Sequence, residues 1–84
     1  MEIRLVEKAA KQLDRIPEPL FSRLKIKIGG LTENPFPSGA KRLVNWPGFR
    51  LRVGDYRILY EVDQGNKVII VYRVAHRRDV YRGQ

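Results

Sequence analysis

Between Phe49 and Ala75 the chain alternates apolar and polar side chains with a period of two, and this constrains the fold more than any other feature. Successive side chains of a strand leave opposite faces, so "FRLRV" puts Phe49, Leu51 and Val53 on one side and Arg50 and Arg52 on the other. "YRILYEV" repeats the division, with Tyr56, Ile58, Tyr60 and Val62 opposite Arg57, Leu59 and Glu61. "KVIIVYRVA" is apolar on both sides, as a central strand would be. "WPGF", "GD" and "DQGN" supply turns, Pro47 and Gly48 standing where a type II turn favours them. Strands joined this closely are antiparallel neighbours, and "KRLVN" reads as a short strand ahead of them.

Upstream the period changes. "EIRLV" alternates like a half-buried strand, and from Val6 onward Ala9, Ala10, Leu13 and Ile16 recur at helical spacing until Pro17 halts the pattern. Pro17 and Pro19 suit the opening turn of a second helix, whose apolar stripe is Leu20, Leu24, Ile28 and Leu31. "TENPFPSG" reads as a connecting loop. The order is strand, helix, helix, then three to four antiparallel strands. Two helices on one face of that meander bury both apolar stripes, which makes the chain α+β. With 84 residues it forms a single domain, 1–84.

Composition narrows the function. There is no cysteine, which removes disulfides, thiolate nucleophiles and zinc–thiolate sites, and one histidine with scattered carboxylates makes no recognisable metal-ligand set. No metal or other cofactor is expected. No apolar stretch reaches the length of a membrane span, and "MEIRLVEKAAKQL" lacks the apolar centre of a signal peptide, so we expect a soluble cytoplasmic protein without membrane contact. The formal net charge of +8 calls for an acidic partner.

The alternation says where that partner would sit. If Phe49, Leu51 and Val53 meet the helices, then Arg50, Arg52 and Arg57 point away from them, close enough to repel one another unless an anion intervenes. Arg77 and Arg78, just past the last strand, can fold towards this face, and Arg73 joins them if the register turns it that way. Each guanidinium can grip phosphate oxygens bidentately, so the face suits a phosphodiester. Any one of these arginines alone would be ordinary surface solvation. Lys8, Lys11, Lys25 and Lys27 are read as the solvated faces of the helices.

The stretch "FRLRVGDYRILYEVDQGNKVIIVYRVAHRRDVY" closely resembles the carboxy-terminal half of the RelE/ParE toxin superfamily, and the preceding helical hairpin fits the same order of elements. The resemblance implies a toxin of a type II toxin–antitoxin system. In its RelE branch this is a metal-independent endoribonuclease that cuts messenger RNA on the ribosome and is silenced by a cognate antitoxin in a complex of higher order. Carried over by position, Arg57 in "GDYR" matches the principal phosphate-binding arginine and Arg77 the second. Arg50 and Arg52 match basic residues, often lysines, that hold the RNA backbone. Tyr81 matches a tyrosine that stacks on a base, and His76 stands where relatives carry histidine or lysine. Arg78 has no clear counterpart. The ParE branch shares the fold and poisons DNA gyrase without cutting RNA, and a basic RNA-binding module is a third class.

Metal-free RNA cleavage needs the 2′-hydroxyl deprotonated, the phosphorane stabilised and the leaving 5′-oxygen protonated. Arginine serves the second requirement, but it stays protonated and cannot accept a proton at neutral pH. His76, as an imidazole with an ordinary pKa of about 6.5, is the first candidate for proton transfer, and Glu61 ranks below it. His76 can equally be structural, and Glu61 more readily pairs with a neighbouring arginine. Tyr81 has its own alternative, packing at the domain's edge. Tyr56 and Tyr60 are read as core residues, and Trp46 as a loop residue partly packed under Pro47.

Overall fold

The computed structural model describes residues 1–78; Tyr81 lies outside the described residues. Among them the elements run β1 (Glu2–Leu5), α1 (Glu7–Asp14), α2 (Leu20–Gly30), β2 (Ala40–Arg42), β3 (Phe49–Val53), β4 (Tyr56–Asp63) and β5 (Val68–His76). The strands form a five-stranded sheet in the order β1-β5-β4-β3-β2. The expected α+β architecture is therefore present. β2 to β5 are an antiparallel meander, whereas β1 pairs parallel to β5, from Glu2 opposite Val68 to Leu5 opposite Val71. A parallel neighbour needs a long crossover, which the helices and three intervening strands provide. The "KRLVN" strand is shorter and starts earlier than its sequence pattern suggests, ending at Arg42.

Both helices cover the same face. Ala9 and Leu13 of α1, Ile16 just after it, and Leu24, Ile28 and Leu31 of the second stripe pack on Leu51, Val53, Ile58, Tyr60, Ile69, Val71 and Val74. Removing a residue such as the fully buried Leu24 by substitution to alanine would cost about 2–5 kcal/mol. α2 starts at Leu20, with the two prolines just outside it. The Glu18 carboxylate accepts the Ser22 N–H at 3.0 Å and its hydroxyl at 2.7 Å, which satisfies an otherwise orphaned amide of the first turn and lowers the Glu18 pKa.

Two close approaches shape the meander. At Gly48 φ is +105°, and a Cβ there would lie 2.4 Å from the Tyr60 carbonyl oxygen, so the turn into β3 tolerates only glycine. Gly54, at φ +60°, opens the two-residue turn between Val53 and Tyr56. The long loop after α2 is pinned to the sheet at one point. The Tyr60 hydroxyl donates to the Pro35 carbonyl at 2.7 Å, and Phe36 stands edge-on to Phe49, which stacks on Tyr60.

β5 is not a straight strand. Leu59 pairs with Arg73 and Tyr60 with Val71, so Tyr72 is an extra residue, a β-bulge. Val71 and Val74 thereby both face the helices although they are three residues apart. A regular strand with Val71 inward would also have turned Arg73 inward. The bulge sends Arg73 to the other face, which settles the register that alternation alone left open.

Burial pushes the Tyr60 hydroxyl pKa up to about 12. Because the folded value exceeds the unfolded one, near 10, this contribution to stability is complete below pH 10 and is lost as pH rises towards 12. We expect Tyr60→Phe to cost about 0.5–1.5 kcal/mol at pH 7 through the missing hydrogen bond. Urea titrations should show that gap narrowing between pH 10 and 12, where the tyrosine protein carries the Tyr60 loss in addition to any loss the two proteins share. A gap independent of pH would mean that Tyr60 ionises in the fold as easily as in the open chain.

Candidate nucleic-acid interface

The face turned away from the helices carries two cross-strand rows at the β2–β3–β4 end. One runs Lys41, Arg50, Leu59, Arg73 across β2 to β5, and the next runs Arg52, Arg57, Ala75 across β3 to β5. Five cations therefore share these rows, with Arg52 directly opposite Arg57. At the other end of the face stand Glu2, in a 2.6 Å ion pair with Arg4, and Glu61. Charge is thus divided along the sheet.

Arg57 faces this side as expected, yet it is only 6 % exposed. The reading of Arg57, taken alone, as ordinary surface solvation is corrected here. Its strand is the middle one of the five, and neighbours on either side shut out water. Burying a cation is costly, and arginine bears that cost better than lysine because its charge is delocalised and weakly hydrated. A charge held where water is scarce interacts strongly with an incoming anion.

The surrounding cations are more accessible. Arg50 and Arg73 are half-buried, while Arg52 is exposed and its Nε donates to the Gly54 carbonyl at 3.2 Å, which draws the side chain towards the β3–β4 turn. Arg77 and Arg78 are both exposed. The Arg77 amide donates to the Asp55 carbonyl at 2.7 Å, so its backbone is fixed just before the start of β4, two positions from Arg57.

His76 takes a different place. It pairs across the strands with Tyr56, on the helix side, and the two rings meet edge-on with centroids 5.5 Å apart. With Gln12, Arg15 and Ile16 it lines a shallow hollow of about 290 Å³ under α1. Its Nδ1 accepts the Arg78 N–H at 3.3 Å. His76, the first candidate for proton transfer, is therefore not brought together with Arg57, because the sheet lies between them. The bulge is the physical reason: it turns Val74, and with it His76, towards the helices. Glu61 does share the arginine face, but it is four residues along β4 from Arg57, roughly 13 Å at strand rise.

Two residues of this face escape the sequence pattern. Lys41 lies in the short edge strand, where periodicity has too few positions to show. Tyr72 is the bulge residue itself. It packs on Leu43, Leu59 and Ala75, a small apolar cluster on the cationic side, and its hydroxyl donates to the Pro47 carbonyl at 3.4 Å. Partial burial, with a smaller effect from Glu61, raises its pKa against an opposing pull from Arg73, so the phenol is neutral at pH 7. Tyr56 and Tyr60 belong to the helix-side core as expected, whereas Trp46 is 48 % exposed. Lys8, Lys11, Lys25 and Lys27 lie exposed on the helices, Lys27 lining a hollow that Arg52 also borders.

Known proteins share this arrangement of elements. The sequence model of the ParE toxin of type II toxin–antitoxin systems, parDE, matches residues 3–81. Toxin RelG of Mycobacterium tuberculosis is 29% identical over 82 residues, covering 95% of this chain and 94% of its own. Toxin RelE of the same organism is also 29% identical, over 95% of this chain and 84% of its own. Among solved structures, the M. tuberculosis RelBE2 toxin–antitoxin complex superposes with a TM-score of 0.79 at 26% identity, covering 89% of this chain and 95% of that one. The RelB–RelE antitoxin–toxin complex of Methanococcus jannaschii gives 0.76 at 27%, covering 93% and 94%. A family match over nearly the whole length, joined to this fold, shows that the chain belongs to the RelE/ParE family of toxins of type II toxin–antitoxin systems.

Proposed function

We propose that this toxin is a metal-independent endoribonuclease that cleaves messenger RNA on the ribosome, with the arginine face as its phosphate site. The observation that carries this reading is the buried Arg57 guanidinium at the centre of a cationic, helix-free sheet face. In the reaction the 2′-oxygen bonds to the adjacent phosphorus, its proton leaves, the bond to the 5′-oxygen breaks, and that oxygen takes up a proton. The products carry a 2′,3′-cyclic phosphate and a 5′-hydroxyl. Negative charge peaks on the phosphorane oxygens between these events. Donors already fixed and shielded from water stabilise it without reorganising, which is the role assigned to Arg57, with Arg77 sharing the charge. Arg50, Arg52, Arg73 and Arg78 hold the flanking backbone, and Tyr81 stacks on a base. His76 lies behind the sheet and acts in proton transfer only if the chain around it turns.

The two solved relatives named above are complexes with antitoxins, and the corresponding partner here is a cognate antitoxin, in an assembly of higher order in the cytoplasm. Among the described residues no helix is long and apolar enough to cross a membrane. A second reading starts from the match to the ParE toxin model: the resemblance to the ParE branch implies a protein that inhibits DNA gyrase.

Translation in vitro separates the two. With purified ribosomes, the wild-type protein should cut message at positions in register with codons. Intact message together with gyrase-trapped DNA breaks would favour the second reading.

Arg57→Met keeps the side chain's length and apolar stem while removing its charge. It should lower single-turnover cleavage a hundredfold or more, since losing one transition-state donor typically costs about 2.7–4 kcal/mol. Its thermal stability should equal or exceed that of the wild type, because a well-packed apolar replacement of a buried charge is often neutral or stabilising. Arg57→Ala, by contrast, should destabilise through the space it leaves. Cleavage by the methionine variant at the wild-type rate would remove Arg57 from the chemistry.

Binding to ribosomes should weaken steeply with salt, because releasing counterions into a more concentrated solution gains less free energy. Arg50→Ala and Arg52→Ala should each reduce the logarithmic slope by about 1. A salt-insensitive complex would point to an apolar protein interface instead.

A further inference from the structure

We propose that Tyr72 is a base-stacking platform for single-stranded RNA on the arginine face, a binding residue supplied by the β-bulge in β5. The inference rests on the phosphodiester reading above and adds a second contact chemistry to it. Three observations support it. The bulge places Tyr72 and Arg73 next to each other on the cationic side, where a regular strand would have separated their faces. The ring is held from below by Leu43, Leu59 and Ala75 and at its tip by the 3.4 Å hydrogen bond to Pro47, so little rotational freedom remains to be lost on binding. It nevertheless stays half-exposed, among cations, where a side chain needed only for solubility would be polar.

Cations that track a backbone, joined to an aromatic ring that accepts any base, are the combination by which proteins hold single strands. Tyr72 lies three residues along β5 from Ala75, the partner of Arg57 in the next strand. At strand rise and spacing this is roughly 11 Å from Arg57, within reach of a nucleotide flanking a phosphate held there. A neutral phenol adds no charge to repel that phosphate.

The test is binding of a labelled 2′-O-methyl pentaribonucleotide, which cannot be cleaved, followed by fluorescence anisotropy. Tyr72→Leu keeps apolar packing on Leu43 and Leu59 but removes the ring, and Tyr72→Phe keeps the ring. Tyr72→Phe should bind within about twofold of wild type, and Tyr72→Leu at least about fivefold more weakly, as stacking is worth about 1–3 kcal/mol per base. An abasic strand of the same phosphates should bind both proteins equally. The inference is overturned if Tyr72→Leu binds as tightly as wild type, if the wild type prefers neither strand, or if it binds no strand at all. Thermal unfolding of each variant confirms that its fold is intact. Base-dependent binding without message cleavage on ribosomes would retain the platform and reject the nuclease.

Discussion

Both helices pack on one face of the sheet, and the rest of the molecule follows from that asymmetry. Burial of Leu24, Ile28 and Leu31 of the second stripe, with Ala9, Leu13 and Ile16 of the first, uses one side of every strand from β3 to β5. The other side is left to polar residues, and here the polar residues are mostly arginines. The small cluster of Leu43, Leu59, Ala75 and Tyr72 keeps that second side from being merely hydrophilic, and provides a dry floor between the cations. A cation on such a floor is desolvated in advance of its ligand, which is what separates Arg57 from the solvated lysines of the helices.

The bulge in β5 is a second device with consequences for both faces. One inserted residue lets Val71 and Val74 both serve the core, turns Arg73 towards the other cations, and swings His76 to the helix side. The Gln12 side chain accepts the Val74 N–H at 2.8 Å, so α1 grips the strand just after the irregularity. Strand pairing, helix packing and the composition of the charged face are coupled through this short stretch.

Much of this was legible in the sequence. The period of two over residues 49–62 assigned Arg50, Arg52 and Arg57 to one side correctly, because those strands are regular and their turns are short. It could not say that Arg57 is buried: alternation gives direction, while access to water depends on how many strands flank the residue. The parallel pairing of β1 with β5 was equally hidden, since four alternating residues carry no information about a partner more than sixty positions away. "VIIVYRVAH" is apolar on both sides, so nothing in its periodicity revealed the bulge, and the unforeseen helix-side place of His76 and the omission of Tyr72 share that origin. Lys41 was missed because β2 has three residues, too few to display a period.

The central claim is that an RNA phosphate binds on the sheet face opposite the helices, at Arg57. The most direct measurement is nuclear magnetic resonance of the arginine side-chain Nε–H groups, assigned by substitution, during titration with the uncleavable oligonucleotide. The account predicts that Arg57 shifts most, with Arg50, Arg52 and Arg73 moving alongside it, while Arg15 and Arg23 on the helix side stay still. Shifts confined to Arg15 and Arg23, with Arg57 unmoved at saturation, would contradict it.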